Sequence, residues 1–198
     1  MEIVLATGNL HKKEELAEIL SGHRVLLPSD LGSSFDCIED GETYLDNALI
    51  KARALYQVVK RPVIADDSGI SVPALGGAPG VYSARYGSEE AGRMLESPER
   101  NDFLLKKMEH IRDRKAFFVC SMVLMLDDYR IYTVQETFSG EIAREPFGGG
   151  GFGYDPLFYL EEYGKTVAQL PADVKNRISH RGKAGAAIKD IMDRLESM

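Results

Sequence analysis

Two adjacent carboxylates, Asp66 and Asp67, follow the β-branched run Pro62-Val63-Ile64-Ala65 and precede Ser68 and Gly69. The run predicts a buried strand and the glycine a turn, which places both acids at the carboxyl end of that strand. In open α/β sheets this end borders the ligand crevice, where a carboxylate can hold a metal or serve as general base. An Asx-turn, the plainer alternative, would use only one of them. Glu39 adds a further acid; oxygen-rich sets of this kind suit Mg²⁺, and no His/Cys spacing of the zinc type occurs. Lys12, Lys51 and Lys175 could neutralise phosphates, while Phe152, Tyr154, His180 and Arg181 could grip a flat base. The sum suits a nucleoside triphosphate with its metal, because phosphoryl transfer depends mainly on positioning, charge neutralisation and a water aimed at phosphorus.

An alternation of strands and helices must position these side chains. Residues 2–6 predict a strand, 7–11 a turn and 12–20 a helix with Leu16, Ile19 and Leu20 on one side. The turn sets Thr7, Asn9 and Lys12 near a helix amino terminus, which favours an anion such as phosphate; it lacks the Walker pattern, and taken alone a simple helix cap is the plainer reading. Residues 23–27 predict a second strand. Thr43 caps a helix over 44–59 whose Ala48, Ala52, Leu55 and Val59 form one apolar stripe, with Ala54 and Val58 forming another. Lys51 falls between the stripes and away from the polar wedge of Asp46, Arg53, Gln57 and Lys60, so its ammonium either meets an anion or snorkels past its neighbours to water.

Glycine and proline between residues 70 and 86 predict a shaped loop, residues 97–112 a helix, and 117–126 with 129–138 a hairpin, so the sheet is not purely parallel. The stretch Gly148-Gly149-Gly150-Gly151-Phe152-Gly153-Tyr154-Asp155-Pro156 permits close backbone approach and interleaves rings that could stack on a base; a flexible linker would be smaller and more polar. Ser179 is placed to cap a last helix whose Ala184, Ala187, Ile188, Ile191 and Leu195 face a core.

A chain of 198 residues, 44% hydrophobic and without repeats, predicts a single domain over residues 1–198. The net charge of −7 argues against a partner that is a nucleic acid polymer, since duplex binding needs a basic face. Cys37 and Cys120 form no disulfide framework, which fits a reducing cytoplasm. The apolar run from Ala116 to Leu126 is too short to span a bilayer, and no membrane partner is expected.

Ala6-Thr7-Gly8-Asn9 with Lys12, Ala65-Asp66-Asp67-Ser68-Gly69, Gly80-Val81-Tyr82-Ser83-Ala84-Arg85-Tyr86, Gly151 to Pro156, and Ser179-His180-Arg181 together resemble the inosine triphosphatase family, the Ham1/RdgB-like purine nucleoside triphosphate pyrophosphatases. The resemblance implies an α/β fold with a mixed sheet flanked by helices, in two lobes around a central substrate cleft. It implies hydrolysis of ITP, dITP or XTP to the monophosphate and pyrophosphate, with Mg²⁺ as cofactor, and a homodimer. Thr7, Gly8, Asn9, Leu10, His11 and Lys12 look like the triphosphate loop and Lys51 like a second phosphate contact. Glu39, with Glu42 as its competitor, and Asp67 resemble the magnesium ligands. Asp67 also resembles the proton acceptor, and Ser68 a substrate contact. Phe152, Gly153, Tyr154, Asp155, Lys175, His180 and Arg181 resemble the base-recognition set. A Maf-like pyrophosphatase would open on a serine-proline-arginine pattern, absent here, and a non-hydrolytic nucleotide sensor would not need the doubled acid.

Overall fold

The computed structural model describes residues 1–197. In chain order the elements are β1 (Glu2–Leu5), α1 (Leu10–Ile19), β2 (Arg24–Leu26), α2 (Tyr44–Val59), β3 (Val63–Ser71), α3 (Ser88–Ala91), α4 (Ser97–Lys107), β4 (Lys115–Met125), β5 (Ile131–Ile142), β6 (Phe158–Leu160), β7 (Lys165–Thr166), α5 (Ala172–Ile178) and α6 (His180–Glu196). The strands form one seven-stranded mixed sheet in the order β2-β1-β3-β4-β5-β6-β7. β1 is parallel to β2 and β3, whereas β5, β6 and β7 pair antiparallel. The short link between β4 and β5 can only return the chain antiparallel, as a hairpin. No described helix is long and apolar enough to cross a membrane.

The chain forms two compact units. The first comprises Met1–Ser68, Cys120–Glu136 and the chain from Asn176 onward; the second comprises Gly69–Val119 and Thr137–Lys175. The first unit shows why an alternating strand specifies its neighbours. Ile3, Leu5, Ile64, Cys120, Met122 and Leu124 project from one face of the sheet onto Leu16 and Leu20 of α1 and Ala184, Ile188 and Met192 of α6. Their strand neighbours Val4, Ala6, Val63, Ala65, Val123 and Met125 project the other way onto Ala48, Ala52 and Leu55 of α2. A period of two along each strand therefore sorts the core into two layers. Cys120 lies in the first layer; burial and then the Asp66 charge push its thiol up to about 12, and both cysteines are free.

The second unit is built around Phe158, whose ring lies 4.6 Å from that of Phe118 and 5.5 Å from that of Phe138. Leu104 and Met108 are buried with it. The helix expected to reach residue 112 stops at Lys107, where Met108 closes it with backbone bonds to Leu104 and Leu105. In α2 Ala48, Ala52 and Leu55 of the first apolar stripe are buried as expected and Val59 is partly so, but Val58 of the second is half exposed, since the helix needs only one face against the sheet.

One sequence expectation is corrected outright. The chain does not turn at Gly69; β3 runs unbroken through Asp66, Asp67, Ser68 and Gly69 to Ser71. The glycine serves close packing instead, because a Cβ there would lie 2.4 Å from Ser83 Oγ and 2.6 Å from the Gly80 carbonyl oxygen. Ser83 cannot easily give way: its Oγ accepts from Ile70 N–H at 2.9 Å and donates to Gly80 O at 2.6 Å. Gly69→Ala is therefore expected to cost about 1–3 kcal/mol of stability through overpacking. Thermal denaturation of the purified variant reads this directly, and an unchanged melting temperature would refute it.

Candidate active site

β1 ends at Leu5, paired with Ile64, while β3 continues past it, so Asp66 and Asp67 emerge just beyond the carboxyl end of β1. The chain also reverses its winding here, with β2 on one side of β1 and β3 on the other. This is the switch point at which open α/β sheets bind ligands, even though the acids sit mid-strand in β3. The alternation that sorts the core also separates the two carboxylates. Asp66 follows Ile64 onto the α1/α6 face, and Asp67 follows Ala65 onto the α2 face.

On the first face, Asp66 Oδ2 lies 2.9 Å from Lys12 Nζ and accepts from Arg181 Nε and Nη2, each at 3.3 Å. Arg181 also donates Nη1 to Glu15 at 2.8 Å and Nη2 to Ser68 Oγ at 2.7 Å. Arg181 is 3% exposed, so this is a buried charge set. Burial opposes the Asp66 charge, but Lys12, Arg181 and Lys51 hold its carboxyl well below the usual carboxylate range. Burial likewise opposes the Arg181 charge, and Asp66 and Glu15 keep it firmly protonated. Asp66 Oδ1 is buried and makes no hydrogen bond.

On the second face, Lys51 Nζ donates to Glu39 Oε2 at 2.7 Å and to Asp67 Oδ1 at 3.3 Å. Asn47, one turn earlier on α2, donates Nδ2 to Asp67 Oδ2 at 3.2 Å and accepts the Gly41 N–H at 2.8 Å. Lys51 is 7% exposed: of the two alternatives open to its ammonium, it meets anions rather than snorkelling to water. Burial disfavours its charge, yet Asp67, Asp66 and Glu39 raise its pKa above the ordinary value. For Asp67 burial wins over Lys51, Lys12 and Asn47, and its carboxyl is raised. Each lysine lowers the carboxylate on the other face as well, so the two sets act as one electrostatic cluster.

The loop after β1 is ordered by its own side chains. Asn9 Oδ1 caps α1, accepting from His11 N–H at 3.0 Å and Lys12 N–H at 3.3 Å, and Thr7 Oγ1 accepts from Asn9 N–H at 3.1 Å. α1 thus begins at Leu10, two residues ahead of the sequence expectation, and Gly8, Leu10 and His11 are exposed. At the other end of this unit Ser179 caps α6 as expected, accepting from Gly182 N–H at 3.1 Å, and His180 is buried beside Arg181.

The glycine-aromatic residues gather in the second unit. Lys175 Nζ lies 2.7 Å from Asp155 Oδ2 and 4.6 Å from the Phe152 ring centroid. Asp155 Oδ2 also accepts from Phe152 N–H at 2.8 Å, Tyr154 donates its hydroxyl to Ser83 O at 2.9 Å, and Asn101 donates to Gly153 O at 3.1 Å. Gly151 has φ +68°, and a Cβ on it would lie 2.2 Å from Asp155 Oδ2, so the run of glycines is a tightly folded loop rather than a linker.

Within the first unit the structure brings together Glu39, Lys51, Asp67, Lys12, Ser68 and Arg181; within the second it brings together Phe152, Gly153, Tyr154, Asp155 and Lys175. Glu39, not Glu42, shares Lys51 with Asp67. Two members were missed by sequence reasoning, Asn47 and Glu15. Each lies one helical turn from a lysine already singled out, and that spacing is the signal that could have found them. The two groups that accept from Lys51 are carboxylate oxygens, Glu39 Oε2 and Asp67 Oδ1, the ligand type that fits a hard divalent ion.

The structure thus combines a mixed α/β sheet with a buried lysine-carboxylate cluster at its switch point. The model of the Ham1 family matches residues 3–191. This chain is 51% identical over 184 residues to the dITP/XTP pyrophosphatase of Treponema denticola, covering 93% of this chain and 94% of that one. It is 46% identical over 192 residues to the Thermus thermophilus dITP/XTP pyrophosphatase, covering 95% and 90%. The structure of a HAM1 protein from Coxiella burnetii superposes with a TM-score of 0.88 at 38% identity, over 98% of this chain and 99% of that one. The chain belongs to the Ham1 family.

Proposed function

We propose that this chain hydrolyses deaminated purine nucleoside triphosphates, ITP, dITP and XTP, to the monophosphate and pyrophosphate, keeping them out of DNA and RNA. The single observation that carries the reading is the Lys51-Glu39-Asp67 arrangement at the sheet's switch point in a member of this family. Water attacks the α-phosphorus, the bond from that phosphorus to the bridging oxygen breaks, and pyrophosphate leaves. Asp67 accepts the proton; a carboxyl raised by burial is a stronger base than an ordinary one. Lys12, Lys51 and the loop residues Thr7, Gly8, Asn9, Leu10 and His11 take the phosphates, and Ser68 contacts substrate. Glu39 and Asp67 would hold Mg²⁺, which supplies charge neutralisation for the phosphates. Their shared hold on one lysine supports that pairing.

Phe152, Gly153, Tyr154, Asp155 and Lys175 are assigned to the purine. The Phe152 face and the Lys175 ammonium beside it offer stacking and a hydrogen-bond donor. His180 and Arg181 complete the set on family resemblance; the Arg181 guanidinium rests on Asp66, Glu15 and Ser68. Donors at these positions favour a 6-oxo purine and leave unpaired groups against the adenine amine. The family match over residues 3–191 supports a single domain, and a cytoplasmic homodimer is part of the same proposal. The test is a panel of nucleotides assayed for pyrophosphate release with Mg²⁺. ITP, dITP and XTP are expected to turn over far faster than ATP, and comparable ATP and ITP turnover would remove the reading.

A further inference from the structure

The first unit holds a second set of ligating side chains that the proposed reaction does not use. His23 precedes β2, and its imidazole is 2% exposed. Nε2 lies 3.0 Å from Asp193 Oδ1 and Nδ1 lies 3.6 Å from Glu196 Oε2. One ligand atom from each of the three residues falls within 4.8 Å of the others. Nε2 is nevertheless buried without a hydrogen bond, which at such a distance means that the Asp193 oxygen is misaligned with the ring nitrogen. The Met1 nitrogen lies 3.0 Å from Nδ1 and contacts Glu196. Asp193 and Glu196 stand one turn apart at the carboxyl end of α6, where the helix dipole and their mutual repulsion both disfavour two negative charges. The Met1 ammonium offsets part of this at Glu196; a metal cation would also neutralise Asp193 and give the buried Nε2 a partner.

We propose that His23, Asp193 and Glu196 form a binding site for a borderline divalent cation of the Zn²⁺ type, distinct from the Glu39-Asp67 pair. An imidazole nitrogen with two carboxylates suits Zn²⁺, with water completing the coordination, and does not suit Mg²⁺, which prefers oxygen alone. His23 lies far in sequence from Asp193 and Glu196, so no local spacing announces the set. The bound ion ties the residue before β2 to the end of α6.

The experiment uses the full chain, stripped with EDTA and free of any polyhistidine tag, with ZnCl₂ or MgCl₂ as the only added metal. Zn²⁺ at a hundredfold over its dissociation constant is expected to raise the melting temperature by roughly 5–10 °C. Titration calorimetry should count one Zn²⁺ that Mg²⁺ does not displace. Asp193→Asn, at a half-exposed position that leaves the core intact, should abolish the shift, as should His23→Gln. Asp67→Asn should retain it, which separates this site from the proposed catalytic one. No Zn²⁺ shift in the unmodified chain, or an equal shift in Asp193→Asn, overturns the proposal and leaves the trio a plain ion-paired cap.

Discussion

Asp67→Asn is expected to lower kcat for pyrophosphate release by about 10²–10⁴-fold, the contribution typical of a general base, while leaving the melting temperature unchanged or raised. The two halves have one cause. Burial raises the Asp67 carboxyl above its ordinary 3.8, and Lys51, Lys12 and Asn47 offset this only in part. A carboxyl with a raised folded value contributes stability below its unfolded value and loses it as pH rises through the folded value. Near neutral pH the ionised group is therefore a burden on the fold, and asparagine, which can keep a hydrogen bond with Asn47, removes that burden. The same shift predicts that the acid limb of kcat/KM lies above the ordinary carboxylate range. Pyrophosphate-release kinetics across pH, beside thermal denaturation of both proteins, read all of this. A folded variant as active as the parent would exclude Asp67 as the base, and a lowered melting temperature would overturn the stability half of the prediction.

Much of this arrangement was legible before any coordinates. The angular position of Lys51 on α2 left its ammonium either an anion or a snorkelling path to water, and Glu39 and Asp67 supply the anion. Thr43 and Ser179 read correctly as caps because an N-cap is a local matter of one side chain and the amides just after it. Gly69 predicts a turn that ends the strand at Asp66-Asp67, an expectation that two charged residues in a row reinforce because such residues rarely continue a buried strand. What the sequence does not display is that Lys12 and Arg181, from opposite ends of the chain, reach the same carboxylate. Such long-range pairing makes an interior aspartate tolerable and lets β3 run on. Glu15 and Asn47 escaped notice for the same reason: their partners Arg181 and Asp67 are remote in sequence.

Asp66→Asn is expected to be the most destabilising conservative change in the cluster. Deleting one member of a buried, hydrogen-bonded charge set costs about 3–5 kcal/mol because the remaining charges stay buried without compensation. Here Lys12 and Arg181 both rest on Asp66 Oδ2, and the change leaves Arg181 with Glu15 as its one carboxylate and Lys12 without its own. For a chain of this length that loss corresponds to roughly 6–20 °C in melting temperature. The pH dependence carries a separate signature. Lys12, Arg181 and Lys51 depress the folded carboxyl far below its ordinary 3.8 despite its burial, so the unfolded chain takes up this proton first as pH falls. The stabilisation is thus complete above the unfolded value and is lost as pH drops through the folded one. Asp66→Asn should remove that component, leaving stability that changes less steeply below the ordinary carboxylate value than in the parent. The variant also leaves the Lys12 ammonium without its carboxylate, so inorganic pyrophosphate should raise its melting temperature more than it raises the parent's. Chemical denaturation at neutral and acidic pH, with and without pyrophosphate, distinguishes this from simple loss of packing. A packing defect would lower stability equally at every pH and would not respond to the anion.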